Sequence, residues 1–423
     1  MRAGSLRYGP AILVGRLTRF AARLRKPGGG SAVPGLVVNR IAPGYLKRTL
    51  SGFPQGLVVV SGSSGKSTTT KMLVAILRAH GVDVFTNPST ANISQGLTSA
   101  LLERADWQGR VPGDVAVLEM DEGHGAVVMQ GVDARVVALT NVMVDQIDRF
   151  HDSDMVAGML ARIAARANEA IVVNADDATL ERIAAATGAG IAVRRFGVSA
   201  DVLERSPRGL GYTETRHERL AEGAGVIVES VDGATAVLRD GGAAVDIRLP
   251  ARGTHYAVDA AAAFATAEAV LGERFSATTA ADALSAIPAV FGRGERVQVR
   301  GQEVEFVLVQ NPASYQLNVD SIEPGTEQIL FAVGSDVRDP SYFWPTDASK
   351  LGRVAIVSGS KAPEAALMLA YDGVAIDRVE PDLGRALDDF LAAPAPASGV
   401  KTIVFTADSM RRTRAHLGLT GAE

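Results

Sequence analysis

Short β-branched runs alternate with longer stretches of helical spacing along most of the chain. The runs predict strands at 57–61, 83–86, 114–119, 134–139, 170–174 and 191–196, and the stretches between them predict helices at 67–80, 94–104, 154–167 and 177–186. Apolar strands that alternate with helices are typical of a doubly wound, mostly parallel sheet with helices on both faces. The sequence therefore predicts an α/β fold.

The pattern changes twice further along the chain. Residues 199–252 carry Gly-rich alternating segments, which predict an antiparallel insertion, and residues 291–296 begin a second series of strands and helices. The length fits more than one domain. We expect a basic N-terminal helix and lead-in (1–55), a central ATP-binding domain (56–293) and a smaller Rossmann-like α/β domain (294–423), with a hinge at 291–296.

Charge is unevenly distributed, although 43 basic residues nearly balance 47 acidic ones. Residues 1–82 contain 13 basic residues and no acid, and residues 7–26 read as an amphipathic basic helix. Such a helix can pack on the body of the protein with its arginines in water, lie on an anionic membrane surface, or mimic a transit peptide. All three interpretations remain open.

Several classes of protein are disfavoured by composition. The chain has no cysteine, which excludes disulfides and a thiolate zinc site and fits a cytoplasmic protein. Aromatic residues make up 5%, and basic patches interleaved with aromatics are missing, so nucleic acid is not an expected partner. No apolar run reaches the ~18 residues that would predict a membrane-spanning helix.

The strongest local motif follows the first predicted strand and opens a helix. It consists of Gly62, Ser63, Ser64, Gly65, Lys66, Ser67 and Thr68. In a phosphate loop the glycines let main-chain N–H groups face the phosphates, the lysine reaches the β- and γ-phosphates, and the serine hydroxyl ligates Mg²⁺. Val60 stands where the longer Walker spacing has glycine, so the motif is the shorter Gly-x-x-Gly-Lys-Ser form.

Polar residues end the next strands, where doubly wound sheets bind their ligands. Glu119 is the first candidate for a metal ligand and Glu122 the second, since a phosphate loop needs an acidic partner for its metal. Asn141 and Asn174 follow the two later strands. Each of these residues also has an ordinary interpretation, as a solvated carboxylate or as a helix cap.

Together, the segments 61–70, 118–122, 140–150, 174–177 and 292–295 resemble the Mur ligase superfamily of ATP-dependent amide-forming enzymes, in order and spacing as well as in residues. Glu119-Met120-Asp121-Glu122, Asp145-Gln146-Ile147-Asp148-Arg149 and Asn311-Pro312-Ala313 are similar to the MurT branch, the Mur-ligase-like subunits of lipid II isoglutaminyl synthase. The resemblance covers essentially the whole chain.

The resemblance implies a reaction and a set of roles. ATP and Mg²⁺ would activate the α-carboxyl of D-glutamate in the lipid II stem peptide, and ammonia from a GatD-like glutaminase subunit would convert it to D-isoglutamine. Residues 62–68 would hold the phosphates, Ser67 and Glu119 the metal, and Asn141, Asn174 and Arg293 the nucleotide, with Asn311 closing over it. Lys66 and Glu119 would be catalytic, and Asp339 or Asp347 would complete the partner's active site.

The chain departs from the MurT pattern in places. MurT proteins usually carry a four-cysteine zinc ribbon, which residues 199–252 cannot form, so no zinc is expected. Gln310 stands before Asn311-Pro312-Ala313, where the family usually has lysine, and Pro345 follows Trp344, where the family usually has aspartate. A divergent MurT-like ligase is the first hypothesis; an ATP-binding protein without catalysis and a Mur-type ligase that adds an amino acid are the alternatives.

Overall fold

The structure is a computed structural model. It describes residues 8–25, 32–88, 91, 93–143, 152–206, 209–216, 223–288, 292–309, 311–323, 325–338, 343–344, 346–397 and 399–419.

A nine-stranded sheet with the order β2-β3-β1-β4-β5-β6-β7-β8-β9 forms the larger part of the molecule. Its strands are β1 (Leu57–Ser61), β2 (Val84–Thr86), β3 (Val115–Glu119), β4 (Ala134–Leu139), β5 (Ala167–Asn174), β6 (Ala192–Val198), β7 (Val226–Asp232), β8 (Thr235–Asp240) and β9 (Ala243–Arg248). The pairs from β2 to β7 are parallel. Strands β1 and β3 are buried along their whole length, as expected for parallel strands covered on both faces.

Helices cover both faces of this sheet. They are α4 (Lys66–Ala79), α5 (Ser94–Arg104), α6 (Glu122–Val128), α7 (Ser153–Ala164), α8 (Ala178–Ala185), α9 (Ala200–Glu204), α10 (Thr254–Leu271) and α11 (Ala277–Ser285). One apolar core lies between the sheet and the helices α4, α10 and α11. A second core lies on the opposite face, between the sheet and the helices α5, α6, α7 and α8. Because β1, β3 and β4 are parallel neighbours, their carboxyl ends lie side by side at the same end of the sheet.

Strands β8 and β9 extend the far edge of the large sheet. Strand β7 pairs parallel with β6, and β8 and β9 then continue the sheet by antiparallel pairing. Residues 199–252, where an antiparallel insertion was predicted, therefore contribute β7, β8 and β9 to the main sheet.

In the described part of the chain before β1, three helices pack against α5. They are α1 (Gly9–Arg25), α2 (Val33–Ile41) and α3 (Tyr45–Leu50). Helix α1 is the predicted basic helix, whereas α2 and α3 were not predicted. In α2, Pro34 and Gly35 lower the helical signal; yet proline is tolerated in the first turn of a helix, where its missing N–H has no partner to lose.

A second, six-stranded sheet has the order β10-β11-β15-β12-β13-β14. Its strands are β10 (Arg293–Val299), β11 (Gln302–Leu308), β12 (Ile329–Ala332), β13 (Arg353–Ser358), β14 (Ala375–Glu380) and β15 (Lys401–Phe405), and its helices are α12 (Pro312–Ser321), α13 (Ala362–Tyr371), α14 (Leu383–Ala392) and α15 (Ala407–His416). All of its pairs are parallel except β10 with β11. The predicted α/β fold class is confirmed.

Two elements differ from the sequence prediction near the functional edge. The edge strand β10 (Arg293–Val299) was not predicted, because Gly294 breaks the alternation of a strand; it overlaps the segment 291–296, where the hinge stays a prediction. Helix α6 was also not predicted, because its seven residues are too short for a periodic signal and include Gly123 and Gly125.

Candidate active site

The phosphate loop connects β1 to α4 as predicted. Gly62 has a φ of 134° and Gly65 a φ of 80°, both in the region that favours glycine. A Cβ atom on Gly62 would lie 2.2 Å from Thr140 Oγ1, and one on Gly65 would lie 2.1 Å from Asp259 Oδ1. Both glycines are therefore required by conformation and by space, and the loop presents the N-terminus of the 14-residue helix α4 to the cavity.

The side chain of Lys66 lies over the loop. Its Nζ donates to the carbonyl oxygens of Gly62 and Ser63, the second at 3.1 Å, and pairs with Glu122 Oε2 at 3.4 Å. Glu122 was predicted as a second metal ligand, and the structure places its buried carboxylate against this ammonium group. The lysine is thus held at the loop by one carboxylate and two carbonyl oxygens, groups that phosphate oxygens can replace.

Asn141 forms hydrogen bonds to the main chain of the phosphate loop. Its Oδ1 accepts from Ser64 N at 2.9 Å, its Nδ2 donates to Ser64 O at 3.1 Å, and its own carbonyl accepts from Ser63 N at 3.0 Å. Thr140 Oγ1 adds a bond to Ser64 O at 2.7 Å. Asn141 was predicted to bind nucleotide; the structure shows that its amide group positions the loop, while the residue also lines the cavity.

Glu119 lies at the carboxyl end of β3 and lines the cavity with Ser67. Asn87, in the loop after β2, fixes its main chain: Asn87 Oδ1 accepts from Glu119 N at 3.0 Å and Asn87 Nδ2 donates to Glu119 O at 3.1 Å. Asn87 is itself buried. The glutamate is therefore held in register by a side chain from the neighbouring strand end.

The residues present fit a nucleotide-bound Mg²⁺ ion. Within the described residues no three His, Cys, Asp or Glu side chains converge as a protein-only metal site would require. Mg²⁺ takes one or two protein oxygens and completes its shell with phosphate oxygens and water. The hydroxyl of Ser67 and the carboxylate of Glu119, both on the cavity wall, are donors of that kind. The ion would neutralise charge on the transferred phosphoryl group.

Asn174 lies behind the cavity wall and not on it. Its Nδ2 donates to Tyr212 Oη at 2.8 Å and to Thr140 O at 3.3 Å, and Tyr212 lines the cavity in its place. Burial, together with the nearby charge of Asp176, raises the pKa of Tyr212 well above its usual value. The hydroxyl of Tyr212 therefore stays protonated.

Asp177 ties the end of β4 to helix α8. Its carboxylate accepts from the main-chain N–H groups of Val142 (2.6 Å), Thr179 (2.9 Å) and Leu180 (3.1 Å). Burial nevertheless raises the pKa of Asp177 to about 6. Asp177 is therefore the cap of α8, and it also supports the segment that carries Asn141.

The second sheet supplies the opposite wall of the cavity, whose volume is about 1460 Å³. Asn311 caps α12, accepting from Ser314 N at 2.6 Å, and is buried on this wall. Asp336, which accepts from Thr406 Oγ1 at 2.8 Å, and Arg411 also line it. The cavity thus lies between the phosphate loop and the second sheet.

The remaining predicted residues are Asp347, Arg293 and Asp339. Asp347 caps a turn, accepting from Ser349 N at 2.8 Å, and does not line the cavity. Arg293 begins β10, and nothing is described of its side chain; Asp339 lies outside the described residues, as does the segment 144–150.

Asn87, Tyr212 and Asp259 are among the cavity residues that sequence reasoning missed. Asn87 follows β2 at the same edge as Glu119, so the rule that polar residues end parallel strands could have found it. Tyr212 lies in a loop and Asp259 inside the buried helix α10, where no local pattern distinguishes them. Only the packing of α10 on α4 brings Asp259 against Gly65.

Comparison with known proteins identifies the family of the middle segment. Residues 60–267 match the Mur ligase middle domain. The chain is 29% identical over 178 residues to the MurT subunit of the glutamine-hydrolyzing lipid II isoglutaminyl synthase of Staphylococcus aureus, a match that covers 42% of this chain and 39% of the relative. It therefore spans about two fifths of that relative's length.

Solved structures of MurF share the fold. One, from Acinetobacter baumannii, superposes with a TM-score of 0.67 at 17% identity, covering 91% of this chain and 80% of MurF. Another, from Thermotoga maritima in complex with ADP, gives a TM-score of 0.63 at 16% identity, covering 88% and 81%.

Residues 60–267, which include the phosphate loop and Glu119, therefore belong to a Mur ligase middle domain, and the chain shares its fold with the solved MurF structures.

Proposed function

We propose that the protein is the ATP-using subunit of an amidating ligase of the MurT type, working with a GatD-like glutaminase subunit on the D-glutamate of lipid II. The observation that carries the proposal is the cavity with the phosphate loop and Glu119 on one wall and Asn311 on the other. The similarity to a MurT subunit supports the particular substrate and partner.

The reaction follows from the weakness of a carboxylate as an electrophile. An oxygen of the substrate carboxylate would attack the γ-phosphorus of ATP, the bond to the β-phosphate oxygen would break, and ADP would leave. The lone pair of ammonia would then attack the carbonyl carbon of the acyl phosphate, expelling inorganic phosphate and losing a proton to give the amide. Electrostatic stabilisation of the phosphoryl group supplies most of the catalysis in such transfers.

The chain's residues have distinct tasks in this scheme. The N–H groups of the loop and Lys66 would bind the β- and γ-phosphates, and Lys66 would exchange its loop carbonyls for phosphate oxygens. Ser67 and Glu119 would hold Mg²⁺. Asn141 would keep the loop in its binding conformation, and Asn87 would keep Glu119 in place.

The test combines purified protein with lipid II, ATP, Mg²⁺ and either glutamine plus the glutaminase subunit or an ammonium salt. Phosphate release and the mass of the stem peptide are followed, and replacement of a carboxyl hydroxyl by an amino group is expected. The ammonium arm bypasses the partner, so it separates loss of the partner contact from loss of the ligase chemistry.

Lys66→Ala should abolish phosphate release in both arms. Unchanged release from this variant would refute the assignment of the phosphate loop. ATP consumption without amidation in the ammonium arm would refute the proposed acceptor. Amino acids would then be supplied in place of ammonia, to test the alternative that the protein is a ligase that adds an amino acid.

A further inference from the structure

The outer surface of helices α1 and α2 is apolar although it faces away from the protein. Both helices turn their small residues inward: a Cβ on Gly15 would lie 2.8 Å from Val38 and 3.0 Å from Leu102, and one on Gly35 would lie 1.9 Å from the carbonyl oxygen of Gln95. At 100° per residue of a helix, a residue two or five positions from such a glycine points roughly the opposite way. The outward positions are therefore defined by the packing on α5.

Large apolar side chains are exposed on both helices. On α1, Leu17 and Phe20 are 60% and 65% exposed and lie two and five positions after Gly15, and Leu13 is exposed two positions before it. On α2, Leu36 is 56% exposed and Ile41 is exposed as well. Single exposed apolar residues are ordinary, but a cluster on two adjoining helices marks an interaction surface. We name these five residues the α1–α2 face.

The rim of the α1–α2 face is basic and aromatic. Arg16 donates to the carbonyl oxygen of Ala105, and its guanidinium lies 4.6 Å from the ring centroid of Trp107, which is 67% exposed. Arg19 pairs with Glu103, and Arg40 is exposed on α2. The first acid of the chain is Asp83, so neither helix carries a negative charge.

An apolar face with arginines and a tryptophan at its edge is complementary to an anionic bilayer surface. The apolar side chains enter the acyl boundary, tryptophan lies at the headgroup level, and each basic residue is attracted to anionic lipid. In the part of the chain that the structure describes, no helix is long and apolar enough to cross a membrane, so such a contact would be peripheral.

The α1–α2 face adjoins the cavity through α5. Ala100, Glu103 and Arg104 of that helix line the cavity, Glu103 also pairs with Arg19 of α1, and the helix packs against both α1 and α2. A surface bound through the α1–α2 face therefore lies on the far side of one helix from the phosphate-loop cavity.

We propose that the α1–α2 face binds the surface of an anionic membrane and holds the cavity next to a lipid-linked acceptor. The value of such an arrangement rests on the proposed function, but the binding itself does not require catalysis.

The test is cosedimentation of the full chain with vesicles of phosphatidylcholine, with or without about a third of phosphatidylglycerol. Binding to the anionic vesicles is expected to be roughly tenfold stronger at low salt and to weaken at high salt. The double variant Leu17→Glu/Phe20→Glu should lose about tenfold or more in binding, because it removes two apolar contacts and adds two repelled charges. Both positions are exposed, so the fold should survive.

Leu367→Glu, at a 52% exposed leucine of α13 on the second sheet's side, is the matched control and should bind as the parent does. Lys66→Ala should also bind normally, which separates this proposal from the catalytic one. Equal binding by the double variant and the parent, or no binding to anionic vesicles, would overturn the proposal. So would a dimer of the parent that the double variant converts to a monomer, since the face would then join two copies.

Discussion

Replacing Asn141 by alanine tests whether the phosphate loop is held in its binding conformation by a side chain from the next strand end. The change removes the bonds to Ser64 N (2.9 Å) and Ser64 O (3.1 Å) and leaves the bond from Thr140 to Ser64 O (2.7 Å). A net hydrogen bond contributes about 0.5–1.5 kcal/mol. Because Ser64 O keeps one partner and Ser64 is only half-buried, the expected loss is about 1–2 kcal/mol.

The lost hydrogen-bond energy should weaken the binding of nucleotide. A loop without the two side-chain bonds to residue 141 must be reordered when ATP binds, so a loss of 1–2 kcal/mol corresponds to about a 5- to 30-fold higher Kd for Mg-ATP. Isothermal titration with Mg-ATP measures the Kd, and denaturant unfolding measures the change in stability of the same samples.

Asn39→Ala is the matched control. Asn39 also makes two side-chain bonds, to Ser94 Oγ at 3.2 Å and from Thr98 Oγ1 at 2.7 Å, but they join α2 to α5. It should lower the free energy of unfolding without changing the Kd for Mg-ATP. An Asn141→Ala protein with the parent's affinity, or an equal loss of affinity in both variants, would refute the role assigned to Asn141.

Three further outcomes are expected. Because burial raises the folded-state pKa of Asp177 from 3.8 to about 6, the folded protein retains a proton that the unfolded chain releases, so the free energy of unfolding falls as the pH rises from 3.8 to about 6. Asp177→Asn should remove roughly 3 kcal/mol of that fall, measured by denaturant unfolding across this range; parallel pH profiles would contradict it. Gly62→Ala places a Cβ 2.2 Å from Thr140 Oγ1 and should abolish Mg-ATP binding in the same titration, a result that normal binding would refute. Gly158→Ala, inside α7 with no atom within 4 Å, should instead raise the free energy of unfolding by about 0.5–1 kcal/mol, and any loss of stability would argue against the packing described there.

The phosphate loop shows how far local pattern reaches. An apolar strand, two spaced glycines and a lysine at the start of a helix define the loop and its ligand together, and the structure has the strand, the loop and the helix where the sequence predicted them. The alternation of strands and helices likewise predicted the α/β fold class, because parallel strands buried on both faces must be apolar throughout.

The support of the site could not be predicted in this way. Asn141, Asn87 and Tyr212 act through partners that are 77, 32 and 38 residues away in the chain. The order of the strands in the sheet decides which amide side chain binds Ser64 and which one binds Glu119. It also decides that the hydroxyl of Tyr212 lies on the cavity wall in place of Asn174. No single segment of the sequence specifies the order of the strands.

The sequence by itself determined the layered α/β fold, the phosphate loop and the basic, acid-free N-terminal segment, since each depends on periodicity, turn chemistry or charge within one stretch of chain. Tertiary structure alone decided that Glu122 pairs with Lys66, that Asn141 positions the loop, and that the second sheet completes the cavity. The physical reason is that these contacts join residues far apart in sequence, and their geometry exists only once the sheets and their helices have packed.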